Sequence, residues 1–185
     1  MLFSLRAGRA VLWHNEQAAV LIDTGPKNSG LARRLRPYSR KVRLLVVSAE
    51  DPALMGSLQE IRDQWQPERV LLPGDKARLA LPGAVLTVRP MGTRLSVTLE
   101  TEHIVLCTDP CPKTSKPLIW LPVLPIIAVP PGTALVVYPA PLSRRPALDP
   151  EAWTPLLRAN ARIYFAPRES TWFLSVYPFR IREAF

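Results

Sequence analysis

Apolar positions fall into short runs broken by polar turns. "AVLW" (10–13) and "AAVLIDTG" (18–25) flank the polar "HNEQ", which predicts a hairpin of two buried strands. In "SGLARRLRPYSR", Leu31 and Leu35 stand one helical turn apart, and Ser29 is placed to cap a short helix that ends before Pro37. "VRLLVV" (42–47) is unbroken by polar residues, the pattern of a strand covered on both faces. Asp51 and Pro52 then supply a helix cap and a first-turn proline, and Leu54, Leu58, Ile61 and Trp65 form one apolar helical stripe. "ERVLLPG" predicts the next strand and turn.

From 83 to 107 the pattern is all strand: "GAVLTVRP", "TRLSVTLET" and "HIVLCT" alternate in part and are punctuated by Gly and Pro. "TALVVYPAP" (133–141) reads as a buried strand, and "LDPEAWTPLLRAN" as a short helix with Asp149 as its cap. "ARIYFAPRES" and "TWFLSVYPF" close the chain as strands. The order is β-β-α-β-α-β, a meander, then β-α-β-β. Two mixed sheets packed face to face with helices outside, an α+β sandwich of αββα type, accommodate that order. No repeat or linker stands out, so residues 1–185 are expected to be a single domain.

Composition narrows the picture. With 185 residues and 48% apolar side chains, the chain can build a real core. The 21 prolines against 8 glycines favour short strands and fixed turns over long helices. The formal charge of +9, carried mostly by Arg, favours loose attraction to polyanions such as nucleic acid or anionic lipid. The uncharged stretch 117–143 is long enough to span a bilayer, but Pro122, Pro125, Pro130 and Pro131 would break a helix repeatedly, each at about 3 kcal/mol. It is expected to be core strands and turns, with no transmembrane span. No charged-then-apolar signal segment is present. A free-standing chain is then expected in the cytoplasm, and a piece of a larger channel protein at the membrane.

Chemistry-bearing residues are few. Cys107 and Cys111, in "CTDPC", match neither a zinc ribbon nor a redox C-x-x-C pair; they are expected as two buried or half-buried thiols, and oxidation would close a very small loop between them. There is no G-x-S-x-G elbow and no P-loop. Cys107 and His103 lie four residues apart on a strand, roughly 13 Å, too far for a nucleophile and its base. "PVLP" (122–125) has the spacing of a polyproline ligand, but its apolar surroundings favour a buried strand boundary.

The junctions between elements carry a resemblance. "FSLRAGRAVL", "LIDTGP" (21–26), "SAEDPALMGSL" (48–58), "VLCTDP" (105–110) and "VVYPAPLSRRPALDPEAWTPLLRANARIYFAP" (136–167) follow one another in the order and spacing of the metallo-β-lactamase fold. The chain most resembles the C-terminal domain of ComEC-type DNA-uptake proteins. The resemblance implies a dinuclear metal site at one sheet edge, built from about four His and two Asp, with a metal-bound water as nucleophile. Against "THxHxDHxGGL", the first histidine falls on Ala49, the second on Asp51, the aspartate on Ala53 and the last histidine on Leu54. The bridging aspartate of "TGD" falls on Pro110, with Asp109 one place early, and the "HHGS" pair falls on Ala140 and Pro141. The acidic residue of the opening "DVGQGDA" falls on Arg9, and its leading Asp on Ser4.

The two histidines, His14 and His103, match no ligand position. Asp23, Asp51 and Asp109 are carboxylates that could hold a weak Mg²⁺ or Ca²⁺, but turn and capping duties account for Asp23 and Asp51. The expectation is therefore a non-catalytic domain with no metal and no cofactor. Two roles outlive the chemistry. Nucleic-acid holding would use Arg6 and Arg9 in the first turn, Arg33, Arg34 and Arg36 on the first helix, and Arg144 and Arg145 after the last ligand loop. Assembly with a protein partner or a second copy would use the apolar edge left by Ala49, Ala53, Leu54, Ala140 and Pro141.

Overall fold

The structure is a computed structural model that describes residues 2–5, 8–38, 42–108, 110–121, 133–139, 162–166, 171–176 and 179–184. Strands β1 (Leu2–Leu5), β2 (Gly8–His14), β3 (Ala19–Ile22), β4 (Leu44–Val46), β5 (Arg69–Leu71), β13 (Thr171–Val176) and β14 (Phe179–Ala184) form one sheet, in the order β14-β13-β1-β2-β3-β4-β5. Strands β6 (Ala77–Leu81), β7 (Ala84–Met91), β8 (Arg94–Thr101), β9 (Val105–Cys107), β10 (Leu118–Trp120), β11 (Thr133–Pro139) and β12 (Arg162–Ala166) form the other, in the order β12-β11-β10-β9-β8-β7-β6. Both sheets are mixed. In the first, β3, β4 and β5 run parallel while β1, β2, β13 and β14 pair antiparallel. In the second, β6 to β9 form the meander and β9 to β12 run parallel.

Strand alternation splits the buried side chains between two layers. Val11, Val20, Ile22, Leu44 and Val46 from the first sheet meet Leu86, Val88, Val97, Leu99, Leu106 and Ile119 from the second, which makes the inter-sheet core. The intervening residues Ala10, Leu12, Ala19, Leu21 and Leu45 point the other way, against Leu31, Ala32 and Leu35 of α1 (Leu31–Leu35) and Ile61 of α3 (Leu58–Trp65). The continuous apolar run at 42–47 is thus what a strand buried on both faces requires. Beyond Leu106 and Ile119, the alternate residues Val105, Cys107, Leu118 and Trp120 are buried too, so the second sheet is covered on both faces there.

Three expectations about the elements change. Ser29 does not cap α1. Gly30 takes the cap position with a left-handed φ of 68°, and the Ser29 hydroxyl instead meets that of Ser57 at 3.3 Å. The apolar stripe of Leu54, Leu58, Ile61 and Trp65 is carried by two helices, α2 (Pro52–Met55) and α3, not one. The break comes at Gly56 and Ser57 because Ser57 is tied to the neighbouring loop: its N–H donates to Gly25 O at 3.2 Å and its hydroxyl to Pro26 O at 2.7 Å. "TWFLSVYPF" likewise divides between β13 and β14, which pair as a hairpin. Strands β1, β6 and β10 had no separate place in the predicted order. The helix expected at "LDPEAWTPLLRAN" lies outside the described residues, as do 122–132 of the apolar stretch. Strands β10 and β11 fall within that stretch, and among the described residues no helix is long and apolar enough to cross a membrane.

Ile61 is the one fully buried side chain of α3, with Leu58 and Trp65 only half-buried beside it. Ile61→Ala is expected to cost about 2–5 kcal/mol of unfolding free energy, measured by denaturant titration.

Candidate functional site at the strand ends

The inter-sheet core ends in polar residues where β2 begins and β3 and β4 finish. Arg9 shares the face of Val11 and Trp13 on β2, and Ser48 shares the face of Leu44 and Val46 beyond β4. Asp23 follows β3 with φ 63°, a left-handed conformation that Asp tolerates better than most residues, and its N–H donates to Val46 O at 2.7 Å. All three are buried, Arg9 at 2% exposure, Asp23 at 1% and Ser48 at 2%. The Asp23 carboxylate accepts from the Ser48 N–H at 2.8 Å and from the Ser48 hydroxyl at 2.9 Å, and the Arg9 guanidinium Nε stands 3.7 Å away. Burial pushes the Asp23 carboxyl above the ordinary carboxylate range. Arg9 and the two Ser48 bonds pull it back without cancelling that rise.

The loops around this knot are packed backbone against backbone. A Cβ on Gly8 would fall 1.8 Å from the Ala53 carbonyl oxygen, so only glycine lets β2 start against α2. Gly25, at φ 69°, bridges to Met55. Leu54 O accepts from the Thr24 N–H at 2.6 Å and its hydroxyl at 3.2 Å. The second sheet joins in: Leu95 N–H donates to Ser48 O at 2.7 Å, and Ala49 bridges antiparallel to Arg94 at the start of β8. The strand ends of both sheets are thereby stitched together.

The predicted ligand positions distribute over this joint. Ala49 is 6% exposed and held in the bridge to Arg94, so it does not contribute to an open apolar mouth. Asp51 caps α2 as expected, its Oδ1 accepting from Ala53 N–H at 2.8 Å. Ala53 and Leu54 are half-buried on α2. Pro110 is exposed, and its carbonyl accepts from the Ser96 hydroxyl at 2.9 Å. Asp109, Ala140 and Pro141 lie outside the described residues.

Among the proposed phosphate-binding residues, Arg33 and Arg36 are exposed and Arg34 is half-buried. Arg9 leaves the exposed set, because alternation turns it between the sheets and onto Asp23. Arg6, Arg144 and Arg145 lie outside the described residues. Glu50, Asp51 and Arg94 are all exposed at the joint, so its rim carries both signs of charge.

The described residues do not fit the dinuclear centre that the resemblance implies. No group of three or more His, Cys, Asp or Glu among them could hold a metal ion. Asp23 spends both carboxylate oxygens on Ser48 and Arg9. His14 ends β2 and His103 sits in the turn after β8, each at the far end of a strand whose near end builds the joint. His103 therefore does not start a strand, since Thr101 closes a turn around it. The Ser48 hydroxyl is buried and committed to Asp23, so it is not presented as a nucleophile.

The cysteines differ from expectation. Cys107 and Cys111 are joined by a disulfide, because the chain turns back after β9 and brings their Cα atoms within 5.5 Å. The other feature missed was the Arg9–Asp23–Ser48 knot. Its signal was present in the sequence: Arg9 stands just before the apolar run "AVLW" and Asp23 just after "AVLI", at the adjacent ends of the predicted hairpin.

No family model and no curated protein matches the chain. Solved structures do match. A metallo-β-lactamase with a HARLDQ motif from Cronobacter sakazakii (Enterobacter sakazakii) is similar at 12% identity and a TM-score of 0.50, over 62% of this chain and 61% of that one. An archaeal metallo-β-lactamase superfamily protein from Sulfolobus tokodaii matches at 14% identity and 0.46, over 58% and 62%. The metallo-β-lactamase GOB-18 from Elizabethkingia meningoseptica matches at 13% and 0.46, over 59% and 58%. The chain thus spans about three fifths of each of these proteins. The fold, two mixed sheets face to face, is that of the metallo-β-lactamases.

Removing Arg9 would leave the Asp23 carboxylate buried without that counter-charge. Arg9→Met is expected to cost about 3–5 kcal/mol by denaturant titration, and a second change, Asp23→Asn, to recover part of it. With its pKa raised on folding, Asp23 holds more proton in the native than in the unfolded state between the ordinary carboxylate value and the raised one. Its contribution to stability therefore falls as pH rises through that window and levels off above it. Comparing Asp23→Asn with the parent chain from acid to neutral pH checks the sign, since the variant lacks this downward component.

Proposed function

We propose that this chain is a non-catalytic metallo-β-lactamase-fold domain, related to the C-terminal domain of ComEC-type DNA-uptake proteins, that holds DNA rather than cutting it. The observation that carries the reading is the Arg9–Asp23–Ser48 knot. A guanidinium and a serine occupy the retained aspartate, and the surrounding loops are tied to one another by backbone hydrogen bonds. A joint of this kind holds strand ends together, and its serine hydroxyl is buried and committed to Asp23. DNA holding is supported by the charge of +9 and by exposed Arg33 and Arg36, three residues apart at the end of α1 and so on one side of it, with exposed Lys27 just before that helix.

A second reading, assembly with a protein partner or another copy, draws on α2. Its four residues Pro52, Ala53, Leu54 and Met55 are all apolar, and none is fully buried. Solution mass separates the two. A stable oligomer that is disrupted by Leu54→Asp favours assembly, and a monomer favours the DNA reading.

Labelled single-stranded and duplex DNA are expected to bind at low salt and to release steeply as salt rises. Arg33→Ala with Arg36→Ala should lower the slope of log affinity against log salt by about 2. No binding at micromolar DNA and low salt overturns the DNA reading. Robust zinc-dependent phosphodiester hydrolysis by the pure protein overturns the non-catalytic one.

A further inference from the structure

We propose that the Cys107–Cys111 disulfide is a thiol-exchange site for a dithiol reductant, and that its redox state sets how firmly the second sheet holds the strand-end joint. The proposal stands independently of the DNA reading. Cys107 is fully buried at the end of β9, its carbonyl accepting from Leu121 N–H at 2.9 Å, whereas Cys111 is half-buried in the segment leading to β10. An incoming thiolate therefore meets the Cys111 sulfur first.

The ring closed by the disulfide contains groups that grip β8. The Thr108 hydroxyl accepts from Val97 N–H at 2.9 Å and donates to Leu95 O at 3.2 Å, and Thr108 N–H donates to Val97 O at 2.9 Å. Pro110 O accepts from the Ser96 hydroxyl at 2.9 Å. Leu95 N–H in turn donates to Ser48 O, and Ser48 holds Asp23. A continuous line of hydrogen bonds thus runs from the disulfide ring to the buried ion pair.

The exchange balances in two steps. A thiolate of the dithiol attacks the Cys111 sulfur, the S–S bond breaks, and Cys107 leaves as a thiolate that takes up a proton. The second thiol of the reductant then attacks the mixed disulfide, which releases Cys111 as a thiol and the reductant as its own cyclic disulfide. The protein is reduced by two electrons and the dithiol is oxidised by two. The ring opens, and Thr108 and Pro110 keep their bonds to β8 without the covalent closure.

The test treats the folded 185-residue chain with dithiothreitol and no denaturant, then follows iodoacetamide labelling by peptide mass and backbone amide exchange by NMR. Cys111 is expected to label before Cys107, and the Leu95 and Val97 amides to exchange roughly tenfold faster, while the Leu79 and Leu86 amides of the β6–β7 hairpin are unchanged. Cys111→Ser should reproduce the faster exchange with no reductant. Three results would overturn the proposal: a disulfide that resists reduction until the protein is unfolded, reduction that leaves Leu95 and Val97 unchanged, or reduction that accelerates the β6–β7 hairpin equally, which marks global unfolding.

Discussion

Burial of β2, β3 and β4 on both faces is the constraint from which the remaining architecture follows. One face of these strands meets the second sheet through Val11, Val20, Ile22 and Val46, and the other meets α1 and α3 through Leu12, Leu21 and Leu45. A strand enclosed this way has no solvent side on which to place a polar side chain. Any charge near its ends on the inner face must find its partner inside the protein. Arg9 pairs in charge with Asp23, and Asp23 accepts from Ser48, for that reason, and this arrangement is a consequence of layer geometry before it is a matter of function.

That commitment gives the strand ends their character. Here Asp51 turns to the backbone of its own helix, Leu54 offers its carbonyl to Thr24, and Ala49 pairs with Arg94 across the sheets. Gly8 lets β2 and α2 touch through their backbones. These loops close on one another, and the free energy of their hydrogen bonds goes into holding two sheets in register. The disulfide ring at the end of β9 extends this stitching to the second sheet.

Much of the architecture was legible along the chain. The hairpin of β2 and β3, the doubly buried β4, the Asp51 cap and the meander of β7 to β9 each have a local cause: an apolar period, a capping oxygen or a proline at a first turn. The helix stripe from Leu54 to Trp65 was legible as amphipathic but not as two helices, because the break at Gly56 and Ser57 comes from bonds to Gly25 and Pro26, some thirty residues earlier in the chain. Ser29 looked like a cap for the same reason in reverse. Its hydroxyl is taken by a distant serine, which the local pattern could not reveal.

The sandwich of mixed sheets and the alternation that assigns each apolar residue to a layer could be read directly along the chain. Periodicity and residue identity are local properties, so they can be read without coordinates. Packing of the two sheets was needed to turn Arg9 inward to Asp23, to join Ala49 to Arg94 in a backbone bridge, and to bring Cys107 and Cys111 together. Each of those outcomes depends on which strand lies beside which and where the chain turns back. These distances between residues remote in sequence, or across a turn, appear only when the two sheets are packed.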